Sequence, residues 1–132
     1  MTRDDAPSPK PRIDKLGVKP RARVSVLGVE DQAYLAELLD RGADVVVNRR
    51  RVGSHLVFFG IDDRRGLPRV RAHRQFIAPG GAVWVVWPKG SPSVNENDVR
   101  AAALDAGLVD VKVVSFSPTH SALKLVIPRA DR

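Results

Sequence analysis

Phe76-Ile77-Ala78-Pro79-Gly80-Gly81-Ala82-Val83-Trp84-Val85-Val86-Trp87-Pro88 is the stretch that decides the fold. It reads as the end of a helix, a Pro-Gly-Gly turn and then a strand that is apolar on both sides. A strand with no polar face belongs to a parallel sheet covered by helices on each side. Alternate residues of a strand point to opposite faces, so Trp84 and Trp87 are separated. Trp84 reads as core. Trp87, near the strand's carboxyl end, is a candidate for lining a cleft.

Upstream, Val24-Ser25-Val26-Leu27-Gly28 is a β-rich run ended by glycine. Ala33, Leu35, Ala36, Leu38 and Leu39 then follow at helical spacing, with Asp31 to cap and Gly42 to stop the helix. Ala43 to Val47 is the next strand, which completes a βαβ unit. Only Asn48 to His55 separates it from the apolar run Leu56-Val57-Phe58-Phe59. A helix is predicted over Leu67 to Ile77, with Pro68 in its first turn, where a missing N–H is tolerated.

Downstream, Asn95-Glu96-Asn97-Asp98 resembles a capping box, and Gly107 ends the helix it opens. Val109–Phe116 and Ala122–Ile127 read as a terminal antiparallel hairpin. The prediction is a six-stranded sheet, five strands parallel and the last antiparallel. Domain organisation follows: residues 1–12 as a disordered basic, proline-rich tail and 13–132 as one α/β domain.

Composition narrows the function. The chain has 132 residues, no cysteine and a formal charge of +7, which excludes disulfides, thiolate metal sites and cysteine nucleophiles. Met1 to Lys19 is polar, no run approaches a membrane span, and a cytoplasmic protein is the expectation. The charge is unevenly spread. Residues 1–23 hold seven Lys/Arg against three Asp, residues 24–48 one Arg against five acids, and residues 49–76 eight Arg against two Asp. Few aromatics and no base-reading motif accompany it, so nucleic-acid binding is expected to be weak and non-specific at most. His55, His73 and His120 lie far apart, so no metal site is predicted; His73 reads as a surface residue on an arginine-rich helix.

The helix, Ala-Pro-Gly-Gly, apolar-strand block resembles the one before the fifth strand of class I S-adenosylmethionine-dependent methyltransferases. The terminal hairpin fits that family too. More of the chain, from about Pro11 to Arg129, is similar to a family of short bacterial proteins. That resemblance is carried by the blocks 14–20, 79–89, 107–113 and 123–126. It implies a three-layer, Rossmann-like, mostly parallel sheet and no particular reaction. Such relatives show Trp-Ser-Gly where this chain has His120-Ser121-Ala122. A full methyltransferase sheet has a further helix, strand and helix where this chain has only residues 48–55. The fold is therefore expected to be a truncated version.

In open α/β sheets, ligands bind beyond the carboxyl ends of the strands. The residues placed there are Gly28, Glu30, Asn48, Asp62, Trp87, Lys89 and His120. Methyltransferases use a glycine-rich loop after the first strand and an acid after the second. Here the first loop, Gly28-Val29-Glu30-Asp31-Gln32, has one glycine, and the second strand ends in Asn48. Arg49, Arg50, Arg51 and Lys89 are candidate anion-binding residues; Arg49 and Arg50 lie where folds that bind NADP place an arginine for its 2′-phosphate.

The sequence supports a non-catalytic binding or interaction module on a degenerate methyltransferase-like fold. The alternatives are a small S-adenosylmethionine-dependent methyltransferase and an NADP- or polyanion-binding protein. Val45-Val46-Val47 is expected at a sheet edge, covered by residues 13–18 or by a second copy of the chain as a homodimer.

Overall fold

The computed structural model describes residues 2–4 and 10–132. Its elements in chain order are β1 (Thr2–Asp4), α1 (Arg12–Lys15), β2 (Arg23–Leu27), α2 (Gln32–Arg41), β3 (Asp44–Val47), β4 (Ser54–Gly60), α3 (Val70–Arg74), β5 (Ile77–Pro88), α4 (Glu96–Asp105), β6 (Val109–Ser115) and β7 (His120–Val126). Among the described residues the sheet has seven strands in the order β1-β6-β7-β5-β4-β2-β3. Of the six expected strands, five run parallel and β7 runs antiparallel to both β5 and β6.

The seventh strand corrects the reading of the tail. Thr2–Asp4 pairs in parallel with Lys112–Val114 of β6, and Arg3 bridges to Glu96 at 2.7 Å. The rest of the expected disordered tail up to residue 9 lies outside the described residues. After it the described chain resumes at Lys10 and enters α1 at Arg12.

Local signals explain the well-defined helices. Asp31 caps α2, its side chain accepting from the Tyr34 amide at 2.9 Å, and Gly42 closes the helix at φ 81°. Asn95 and Asp98 form the reciprocal capping box of α4. The predicted Leu67–Ile77 helix is shorter than expected. Pro68 falls in a 3-10 turn over Arg64–Arg69, α3 adds only Val70–Arg74, and Ile77 already belongs to β5.

The Pro79-Gly80-Gly81 turn is likewise a feature within β5. Ser54 pairs with Ile77 and Leu56 with Ala82, so a two-residue step on β4 faces a five-residue step on β5. The extra residues form a bulge, a role open to Pro because it needs no ladder N–H there.

The short β3 makes the truncation possible. A four-residue strand is ~13 Å long and two strand spacings are ~9.6 Å. The return diagonal of ~16 Å lies within the ~20 Å reach of six residues. Asn48 starts the reversal at φ 56°, a conformation asparagine tolerates, and Arg51 donates to the Asp44 carbonyl at 2.7 Å on the way back. Parallel β4 is thereby reached without a helix. The β3 edge is not covered by residues 13–18, which is a correction: Ile13, Leu16 and Val18 pack on the sheet face instead, and Val47 stays exposed.

Two cores sandwich the sheet. Leu16, Val26, Tyr34, Leu38, Phe58 and Trp84 fill one face. Val57, Val70, Val83, Trp87, Val99 and Leu108 fill the other. Phe58 and Trp84 stack at 6.4 Å between centroids, and truncating either to alanine would cost about 3–5 kcal/mol. His73 belongs to this interior, against expectation. It is 5% exposed and packs on Phe59 at 4.2 Å, its ring paired with no other polar group.

Candidate functional site

At the carboxyl end of the sheet, β2 turns at Gly28 with φ 69° and β4 ends at Gly60. The two backbones touch. A Cβ on Gly60 would lie 2.3 Å from the Gly28 carbonyl oxygen, and one on Gly28 would lie 3.0 Å from the Gly60 oxygen. A side chain at Gly60 collides with backbone, and one at Gly28 is tight and held at a positive φ, so these glycines serve close approach of two neighbouring strand ends.

Beside that contact lies a cavity of about 100 Å³, lined by residues 28–31, residues 60–62, Val86, Phe116, Ser117, Thr119 and His120. Four of the sequence-predicted residues thus meet there: Gly28, Glu30, Asp62 and His120. Glu30 and Asp62 are exposed. His120 Nδ1 lies 2.8 Å from the Thr119 hydroxyl, and the Ser117 hydroxyl oxygen accepts from the amides of Thr119 and His120 at 3.2 and 3.0 Å. The hairpin turn is therefore held by its own side chains.

Asp31 is engaged structurally. Its second oxygen takes a hydrogen bond from Arg12 at 2.9 Å. Burial alone would push the Asp31 carboxyl up; the Tyr34 amide and Arg12 more than offset it and hold the carboxyl below the usual range. Arg12 also donates to Glu37 at 3.1 Å and to the Phe116 carbonyl at 2.9 Å. Its guanidinium lies 5.0 Å from the ring centres of both Tyr34 and Phe116. One side chain thus ties α1, α2 and the end of β6 together along the cavity wall. Burial raises the Tyr34 phenol above its ordinary value, so it is no acid–base group at neutral pH.

The other predicted residues go elsewhere. The Asn48 amide oxygen accepts from the Gly28 N–H at 3.3 Å, bracing the loop. Trp87 is 4% exposed and belongs to the core, not to a cleft. Lys89 donates from Nζ to the Ser115 hydroxyl at 2.6 Å and does not line the cavity. The three arginines do not converge: Arg49 is exposed, Arg50 lies over the Phe76 ring at 4.5 Å, and Arg51 pairs with Asp44 at 3.1 Å. Sequence reasoning missed Arg12, whose partners come from α2 and the end of β6.

Chemically, besides the engaged Asp31, the cavity offers the carboxylates of Glu30 and Asp62, an imidazole and hydroxyls, which suits a hydrogen-bond donor or a cation. Among the described residues no three histidines or carboxylates stand together to hold a metal ion, and no helix is long and apolar enough to cross a membrane.

No family model matches the sequence, nor does any curated relative. Solved structures do match the fold. A TehB-like SAM-dependent methyltransferase from Corynebacterium glutamicum aligns with TM-score 0.57 and 13% identity, covering 88% of this chain and 85% of that one. The magnesium protoporphyrin IX methyltransferase ChlM from Synechocystis PCC 6803, with SAH bound, aligns with TM-score 0.58 and 10% identity over 87% and 78%. A pericyclic reaction enzyme also aligns, with TM-score 0.58 and 10% identity, over 93% of this chain and 50% of its own. At such identities the likeness is one of fold. The chain has a shortened class I methyltransferase fold.

Proposed function

We propose that the chain is a small-ligand binding module built on that shortened scaffold, using the carboxyl-end cavity without transferring a methyl group. The observation that carries this reading is the Gly28–Gly60 backbone contact. It fills the space between adjacent strand ends and leaves about 100 Å³ beside it, whereas pockets for ligands of cofactor size run from about 300 Å³ upward. Asn48 stands where such folds place an acid for the ribose, and its amide oxygen already accepts from Gly28. These residues do not fit S-adenosylmethionine. Glu30 and Asp62 favour a small ligand bearing a positive charge or several donors.

A second reading, a small S-adenosylmethionine-dependent methyltransferase, is favoured by the fold neighbours, which include SAM-dependent methyltransferases and one with SAH bound. Fold alone does not decide between the two, since a pericyclic reaction enzyme shares it. Calorimetric titration with S-adenosylmethionine and S-adenosylhomocysteine separates them. A Kd of about 100 μM or tighter, ~5.5 kcal/mol, supports the methyltransferase. Heats no larger than dilution support the module.

A further inference from the structure

The opposite end of the sheet carries a larger and chemically different cavity. It measures about 340 Å³ and opens at the amino ends of β2 and β4, against the bulge of β5. Its apolar part is built from Ala22, Leu56 and Ala82, all buried in the core. Every ionisable residue on its wall is basic: Lys19, Arg21, His55 and Lys124. Three of the blocks that carry the sequence resemblance, 14–20, 79–89 and 123–126, meet at this one place.

We propose that this amino-end pocket binds a small organic oxyanion, a phosphate or carboxylate carried on an apolar body. Apolar floor and basic rim call for the two halves of such a molecule, and lysine and arginine are the side chains that recognise oxyanions. No carboxylate pairs with Lys19, Arg21 or Lys124 among the described residues, whereas Arg12, Arg41, Arg51 and Arg64 elsewhere in the fold are paired. Lys124 is the anchor. It is half-buried, with its ammonium 6.0 Å from the centre of the Trp84 ring. Burial first, and the nearby Lys112 second, press it toward deprotonation, a pressure an anion relieves. Arg21 holds its rim position at φ 65°, a left-handed conformation that costs a side-chain-bearing residue energy and accumulates at binding sites. The His55 ring accepts from the Arg23 amide at 2.9 Å through Nδ1, which leaves Nε2–H as a donor. The site lies apart from the carboxyl-end cavity and does not depend on what binds there.

The test is titration of the ¹⁵N-labelled full chain with phenyl phosphate, benzoate, inorganic phosphate and phenol, followed by amide NMR. Saturable shifts at Lys19, Arg21, Ala22, residues 80–82 and Lys124 are expected with phenyl phosphate or benzoate, whichever oxyanion binds more tightly identifying the class. Inorganic phosphate should move the same amides more weakly, and phenol should not move them. Arg21→Gly relaxes the backbone while deleting a cation, and Lys124→Gln removes the anchor; each should weaken binding about tenfold, with Arg21→Gly melting no lower than the parent. Shifts centred on residues 28–31 and 117–120, unchanged affinity in both variants, or no saturation by about 10 mM would each overturn the proposal.

Discussion

The two ends of the sheet share the same strands and differ in how the chain closes over them. At the carboxyl end, Gly28 and Gly60 press backbone to backbone, Arg12 clamps α1 against α2, and the hairpin turn is tied to itself. At the amino end, the β5 bulge holds Gly80 with nothing within 4 Å of an added Cβ, and cations with no carboxylate partner among the described residues rim a cavity over three times as large. Topology directs the eye to the carboxyl end. Packing leaves the room at the other one. Between β3 and β4 the chain has only residues 48–53, with no helix or further strand.

The strongest probe of this contrast is Gly60→Ala. Its Cβ meets a carbonyl oxygen at 2.3 Å, and a backbone atom cannot step aside as a side chain could. A loss of about 3 kcal/mol in urea unfolding is expected. A loss under about 1 kcal/mol would show that the two loops part easily, and that the carboxyl end is closed only loosely.

Next comes acid. β4 runs from one end to the other, and Phe59, beside Gly60, packs on His73. Burial first, then the charges of Arg50 and Arg69, lower His73 from 6.5 to about 4. The unfolded chain therefore takes up a proton at higher pH than the folded one does. Stability is fully present above pH 6.5 and falls between 6.5 and about 4, by about 2–3 kcal/mol if His73 acts alone. Unfolding curves across that window should show the slope, and His73→Leu should flatten it. An unchanged slope in the variant would assign the acid sensitivity to other groups.

Arg12→Ala should cost about 2 kcal/mol, because it removes charged hydrogen bonds to Asp31, Glu37 and the Phe116 carbonyl from a half-buried position. It should also broaden the amide signals of Phe116, Ser117, Thr119 and His120. At the amino end the matching substitution is mild: Gly80→Ala should alter stability by less than about 0.5 kcal/mol, read in the same urea titration. A large loss there would mean that the bulge is packed as tightly as the Gly28–Gly60 contact.

What could be read in advance follows the range of the interaction. The caps at Asp31, Gly42 and Asn95–Asp98 were legible because they act within a single turn of helix. Six of the seven strands were legible from apolar runs and glycines, and their ends bring Gly28, Glu30, Asp62 and His120 to one cavity. Pro79-Gly80-Gly81 was misread because the same residues punctuate a turn or a bulge. The difference lies in the Ser54 and His55 carbonyls, near which any side chain at Gly81 would collide. Trp87 and Lys89 were placed at the right strand end, but their surroundings depend on which helices and hairpins cover them. His73 looked like surface because its neighbours in sequence are arginines, while Phe59 lies 14 residues earlier in the chain. The amino-end pocket gave no single motif at all, since its cations come from three distant segments.

The most direct test of the central claim is a calorimetric titration of the intact chain with S-adenosylhomocysteine. The closed Gly28–Gly60 contact predicts no saturable binding tighter than about 100 μM. A Kd well below that, with amide shifts at residues 28–31 and 60–62, would contradict it and return the chain to the methyltransferases whose fold it shares.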